Sequence, residues 1–275
     1  MRRTKIICTL GPATDSEETI RALLLAGANA VRLNFSHGSH EEHRRRLETF
    51  KKVREELGML TASILDTKGP EIRIKTFREG RVELKKGQTF TITTEDVAGD
   101  NERVSTTYPE LHREVRPGDR ILIDDGLIEL VVRDITGREV RCEVRNGGEL
   151  KDNKSMNLPG VPIHVSALSE RDIRDLRFAV ENDMDFVAAS FIRSRRDVEE
   201  VRRALDGLGG RHIRIIAKIE NREGVDNIAE ILEAADSVMV ARGDLGVEIP
   251  PYEVPIIQKR IVADCVAAAK PVIVA

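Results

Sequence analysis

Short β-branched runs alternate with longer, charged amphipathic stretches, and the point at which that alternation is interrupted constrains the fold more than any other feature. Ile6-Ile7-Cys8-Thr9 reads as a strand, 17 to 27 as a helix, Ala30 to Phe35 as a strand, 41 to 57 as a helix and Ala62 to Leu65 as a strand. Parallel strands need long crossovers, so a βαβαβ series of this kind builds a parallel sheet with helices packed against it. After Asp66-Thr67-Lys68-Gly69-Pro70 the rhythm breaks. From 71 to about 164, apolar and polar residues alternate with period two, with turn signals at Asp125-Gly126, Thr136-Gly137 and Asn146-Gly147-Gly148. The βα rhythm then resumes with a helix near 169 to 182 and strands at Phe186 to Ile192, Ile213 to Ile219, Val238 to Ala241 and Val272 to Ala275. The expected organisation is a βα domain in two parts, 1–69 and 165–275, around an inserted all-β domain at 70–164.

Repeating parallel βα units close either into an open doubly wound sheet or into a (β/α)8 TIM barrel. The barrel is favoured on chemical grounds. Polar residues sit at the C-terminal ends of several successive strands, where barrel enzymes assemble their sites, and no GxGxxG follows the first strand. The count reaches about seven strands at Pro271-Val272-Ile273-Val274-Ala275, so the sequence looks cut short of a closed barrel. A missing eighth strand leaves apolar parallel edges unpaired, to be covered by absent chain or by a partner.

With 275 residues and 40% hydrophobic content, the chain can bury a sizeable core in about one or two domains. A formal charge of −3 and a pI near 6.1 leave no basic excess for a nucleic-acid backbone, so any anion site must be local. Cys8, Cys142 and Cys265 are far apart and form no CxxC pair; they are expected to be reduced, structural thiols of a cytoplasmic protein. Arg2-Arg3-Thr4-Lys5 before Ile6 to Leu10 looks faintly like a signal peptide, but the apolar run is short and Gly11-Pro12 ends it. No apolar run approaches the ~18 residues that span a bilayer, and no membrane association is expected.

In Arg32-Leu33-Asn34-Phe35-Ser36-His37 the strand period puts Arg32, Asn34 and Ser36 on one face, where they either line a site or satisfy one another. His37, His40 and His43 have metal-like spacing, but solvated helix-start residues explain them better. Asp66-Thr67 adds a carboxylate and oxygens of the kind hard cations prefer; with Lys68 next in sequence, a surface ion pair is the alternative. Arg73 carries a guanidinium fork suited to phosphate. The strongest local signal joins Ala217-Lys218-Ile219-Glu220-Asn221 to Val240-Ala241-Arg242-Gly243-Asp244-Leu245-Gly246, which end adjacent strands. Glu220 and Asp244 are a carboxylate pair of the type that holds Mg²⁺, and a lysine beside them stabilises a transferring phosphoryl group. The alternative is a buried Lys218–Glu220 pair that merely ties strands together. Gly243 allows close approach of a ligand, or else makes a tight strand-end turn.

Taken together, Thr4 to Pro12, Arg32 to Gly38, Leu65 to Arg73, Lys218 to Asn221 and Met239 to Gly246 resemble the pyruvate kinase family over essentially the whole chain. The resemblance implies a catalytic barrel with a mobile β-rich lid, working in glycolysis on phosphoenolpyruvate and ADP. It implies phosphate contact by Arg32, transition-state stabilisation by Lys218, and Mg²⁺ (or Mn²⁺) held by Glu220 and Asp244. Gly243 and Asp244 would contact phosphoenolpyruvate. Asn34, Ser36, Asp66 and Thr67, the last through its carbonyl, resemble K⁺ ligands, and Glu71 resembles the potassium-dependent members. Asn34, Phe35, Ser36, His37, Arg73 and Lys154 would hold the nucleotide. ADP would attack phosphorus, leaving an enolate that the cations hold until a proton arrives, while the lid excludes water. By resemblance the full-length protein is a homo-oligomer, a homotetramer, with no nucleic-acid or membrane partner. Lys154-Ser155-Met156-Asn157 departs from the family's lysine-glycine-valine-asparagine, and the threonine, eighth βα unit and C-terminal domain that follow in the family are not in this sequence. Two rival readings are a metal-dependent lyase on a phosphoenolpyruvate/pyruvate-type barrel and an inactive or partner-binding fragment.

Overall fold

Serines that precede helices at capping distance set where the helices begin, and the β-branched runs between them become strands. The computed structural model describes residues 4–275; Arg2 and Arg3, the charged start of the leader-like segment, lie outside the described residues. The chain opens with β1 (Ile7–Leu10), α1 (Glu17–Leu25), β2 (Ala30–Asn34), α2 (His40–Glu56) and β3 (Ala62–Asp66). Ser16 caps α1 by accepting from Thr19 N–H, and Ser39 forms a reciprocal capping box with Glu42 on α2. Each helix buries one stripe; on α2 it carries Leu47, Phe50 and Val53.

The inserted segment contains β4 (Arg81–Leu84), β5 (Thr89–Thr93), β6 (Arg103–Ser105), a short helix α3 (Leu111–Glu114), β7 (Arg120–Ile123), β8 (Ile128–Thr136), β9 (Glu139–Val144), β10 (Gly148–Lys151) and β11 (Met156–Asn157). Six of these strands form a sheet in the order β11-β7-β8-β9-β5-β6, antiparallel except for the β5–β6 pair, and β10 pairs with β4. This body has its own apolar core, including Phe90, Ile92, Leu130 and Val144. The expected turns are present: Asp124, Asp125 and Gly126 all take positive φ.

The remaining elements are α4 (Glu170–Glu181), β12 (Phe186–Ala189), α5 (Arg195–Gly207), β13 (Arg214–Ile219), α6 (Arg222–Asp226), α7 (Ile228–Ala234), β14 (Ser237–Val240), α8 (Arg242–Glu248), α9 (Val254–Ala267) and β15 (Val272–Val274). Seven parallel strands form one sheet in the order β1-β2-β3-β12-β13-β14-β15, so β12 docks directly on β3 across the insertion, with Leu65 opposite Val187. One face carries a small cluster of Ala30, Ile64, Ala188, Ile216 and Met239; the other packs on the helices through a much larger core. That division is the sidedness of a curled barrel sheet, with a tight interior and an outer ring of helices. Two local expectations change. The strand expected to run to Ile192 ends at Ala189, because Phe191 adopts φ 55 and turns the chain. The segment after β14 is helical, not a bare strand-end turn. Among the described residues, no helix is long and apolar enough to cross a membrane.

Candidate functional site

The C-terminal ends of β2, β3, β12 and β13 bring charged side chains into one chain of contacts that runs from the partly exposed Arg32 into the interior. Arg32 Nε donates to Asp66 Oδ2 at 2.5 Å, and Arg32 Nη1 reaches Thr9 Oγ1 at 3.0 Å. The other Asp66 oxygen lies 3.0 Å from Lys218 Nζ, which also pairs with Glu220 Oε1 at 2.8 Å and donates to Ser190 Oγ at 2.7 Å. Phe191 N–H donates to Glu220 Oε2 at 2.7 Å. Asp66, Lys218 and Glu220 are all buried. The predicted face-sharing of Lys218 and Glu220 is therefore a direct ion pair, extended through Asp66 to Arg32.

Burial works against the Lys218 ammonium, but Glu220 and Asp66 outweigh it and its pKa is raised. Burial pushes the Glu220 carboxyl up to about 7 in spite of Lys218, and the nearby Asp244 charge adds to the rise. A carboxylate that is costly to ionise beside a second carboxylate suits a divalent cation, which would relieve both burdens. Asp244 itself lies exposed in the first turn of α8. A Cβ built at Gly243 meets nothing within 4 Å, and the residue needs no left-handed backbone, so neither packing nor turn geometry demands glycine there.

The β2 and β3 register sets Asn34 beside Asp66, and Phe35 N–H donates to the Asp66 carbonyl at 2.9 Å. Asn34 Oδ1 accepts from Ser36 N–H at 3.1 Å. Thr67 is locked against the end of β12: its carbonyl accepts from Ser190 Oγ at 2.7 Å, and its hydroxyl accepts from Ser190 N–H at 3.1 Å. The Phe35 ring is buried, stacked on His43 with centroids 4.1 Å apart. His43 Nε2 donates to the His37 carbonyl at 2.8 Å and His40 Nε2 pairs with Asp175 at 2.5 Å, so these histidines serve structure rather than sharing one ligand set. His37 is exposed at the loop tip.

Arg73 and Lys154 stand apart from that chain of contacts. The Arg73 guanidinium binds Glu71 through Nε at 2.9 Å and Nη2 at 2.5 Å and also meets the Asn153 carbonyl, while Lys68 approaches Glu71 at 3.4 Å. Lys154 Nζ donates to Asp124 at 2.9 Å within the β body. A cleft of about 400 Å³ separates this body from the barrel loops, bounded by Glu71, Met156 and Asn157 on one wall and by Phe191, Asn221 and Asp244 on the other. Sequence reading missed Ser190, which joins Lys218 to Thr67. A serine directly after the apolar Phe186–Ala189 run was the available signal.

Over residues 1–275 the chain matches the family described as pyruvate kinase, barrel domain. It is 51% identical over 276 residues to a pyruvate kinase of Clostridium perfringens (strain 13 / Type A), covering 100% of this chain and 58% of that protein. It is 50% identical over 277 residues to a pyruvate kinase of Staphylococcus aureus (strain USA300), covering 100% of this chain and 47% of that one. A crystal structure of a pyruvate kinase from Cryptosporidium parvum superposes with a TM-score of 0.96 at 38% identity, over 99% of this chain and 57% of that one. The chain spans about half the length of the curated relatives it matches.

Proposed function

Because the chain belongs to the pyruvate kinase family, we propose that it supplies the barrel and lid of a glycolytic enzyme that transfers the phosphoryl group of phosphoenolpyruvate to ADP, giving pyruvate and ATP. The observation that carries this reading is the Arg32–Asp66–Lys218–Glu220 chain, in which the partly exposed Arg32 joins three buried residues and which converges from the ends of β2, β3 and β13. Residues 1–69 and 165–275 form the barrel in this reading, and 70–164 form the lid.

Lys218 is the central group. Held by Glu220, Asp66 and Ser190, its ammonium is kept charged and fixed before substrate arrives, as stabilisation of a transferring phosphoryl group requires. Arg32 presents its guanidinium beside it to the phosphate, and Gly243 and Asp244 leave open space for phosphoenolpyruvate. Glu220 and Asp244 would hold Mg²⁺ or Mn²⁺, and Asn34, Ser36, Asp66 and the Thr67 carbonyl would hold K⁺, with Glu71 as the marker of potassium dependence. When bound, these cations supply positive charge against the phosphate and the developing enolate. Nucleotide binding falls to the 34–37 stretch, Arg73 and Lys154. With the Phe35 ring buried, the partly exposed Ser36 and the exposed His37 offer the contacts, and Lys154 exchanges Asp124 for a nucleotide phosphate as the lid closes. The full-length protein is read as a cytoplasmic homo-oligomer.

The test is ATP formation from ADP and phosphoenolpyruvate with Mg²⁺ and K⁺, comparing wild type with Lys218→Met. Transfer that falls by a factor on the order of 10²–10³ in the variant supports the reading. Equal rates in the two proteins would remove Lys218 from the reaction.

A further inference from the structure

The first turns of α4 reach both loops that the reading above assigns to the monovalent cation, through side chains given no role there. Asp172 is 0% exposed. Its Oδ2 completes the α4 capping box, accepting from Ser169 N–H at 2.8 Å and Ser169 Oγ at 2.5 Å. Its Oδ1 accepts from Gly69 N–H at 2.9 Å, from a segment 103 residues earlier. One residue before it, Arg171 Nη2 donates to the Phe35 carbonyl at 2.6 Å.

A cap alone does not explain this arrangement. The Ser39–Glu42 box on α2 performs the same local task at the surface, whereas Asp172 is fully buried, a costly place for a carboxylate unless its oxygens are put to use. Its second oxygen holds the residue where the β3 loop is tightest. Gly69 has φ +75, and a Cβ there would lie 2.8 Å from both Phe191 and Ser190. Two residues earlier, the Thr67 carbonyl is bonded to that same Ser190. Arg171 meanwhile grips the β2 loop, which is itself bonded to Asp66 through Phe35 N–H. Asn34 and Asp66 end β2 and β3, and Ser36 and Thr67 lie in the loops that follow, which are pinned by consecutive residues of one helix.

We propose that Asp172 and Arg171 are positioning residues for a monovalent-cation site, setting the separation of the β2 and β3 loops. The proposal rests on the assignment of that cation to Asn34, Ser36, Asp66 and Thr67. Carbonyl and short side-chain ligands hold a cation well only when their spacing is fixed, and losing such outer support typically weakens metal affinity about 10–100-fold. Asparagine at 172 keeps the volume but retains one acceptor oxygen for two places that both need one.

The test is Tl⁺ binding to this 275-residue chain by thallium NMR, with K⁺ as competitor, beside Mn²⁺ binding by water-proton relaxation. Asp172→Asn is expected to weaken Tl⁺ binding about tenfold and leave Mn²⁺ binding within about twofold. Arg171→Met, at a more exposed side chain, is expected to act in the same direction, with Arg171→Lys recovering part of the loss. Tl⁺ affinity within about twofold of wild type in folded Asp172→Asn and Arg171→Met overturns the proposal, as does a parallel fall in Mn²⁺ affinity, which marks general damage. Wild type that binds Mn²⁺ but no Tl⁺ refutes the cation assignment itself, and the positioning role with it.

Discussion

Replacing Glu220 with glutamine removes a charge while keeping the side chain's size, and so isolates what that charge does to the fold. In the folded chain burial raises the Glu220 pKa from its ordinary 4.5 to about 7. The unfolded chain, with water around the carboxyl, takes the ordinary value. The favourable contribution of such a group is fully present below the unfolded pKa, where both states are protonated, and is lost as pH rises through the folded pKa. Integrated over the whole window, the loss is about 3 kcal/mol, of which about 2 kcal/mol falls between pH 5.5 and 8. The wild type should therefore lose about 2 kcal/mol relative to Glu220→Gln across that interval, whatever constant offset the lost Lys218 pairing introduces. With no tryptophan in the chain, urea unfolding followed by far-UV circular dichroism at the two pH values is the suitable assay. A stability difference that stays constant with pH, or that moves in the wild type's favour as pH rises, refutes the argument.

Gly69→Ala combines a left-handed backbone with a Cβ 2.8 Å from Phe191 and Ser190, so destabilisation of about 2–4 kcal/mol is expected by the same unfolding measurement. Ser190→Ala removes the acceptor of Lys218 and the donor to the Thr67 carbonyl; a loss of about 1–3 kcal/mol is expected, with Mn²⁺ binding by relaxation retained because both carboxylates remain.

Much of the fold was legible because two periods were cleanly separated. The apolar runs of β2, β3, β13 and β14 appear where β-branched residues cluster, and the period-two stretch becomes the antiparallel body. Two places resisted. Phe191 and Ile192 resume the apolar pattern after Ser190, yet the chain turns at Phe191, whose N–H is drawn to Glu220, a residue 29 positions away. Arg242–Glu248 contains two glycines that disfavour a helix, yet it coils because Leu245 buries itself in the core. At the site, strand alternation revealed that Lys218 and Glu220 share a face. It did not reveal Asp66 beside Lys218, because that contact depends on β12 filling the place between β3 and β13. The Lys154–Asp124 pair likewise joins residues 30 positions apart: Asp125-Gly126 announces the turn, but no local pattern names Lys154 as the partner.

The junction between barrel and β body also bears on the order in which the chain folds. β3 and β12 are neighbours in the sheet although about 120 residues lie between them, and closing so long a loop costs about 2 kcal/mol more than closing an ordinary crossover of a dozen residues. The inserted body softens that cost when it forms first. Its incoming and outgoing segments run side by side, with Ile74 N–H bonded to the Lys154 carbonyl and Met156 N–H bonded to the Ile72 carbonyl. A preformed β body shortens the effective tether to residues 67–71 on the incoming side and 157–185, which include α4, on the outgoing side, so refolding should nucleate there and the parallel sheet should close afterwards. The same geometry makes the insertion a unit that can be excised and replaced by a short linker without moving the strands it separates.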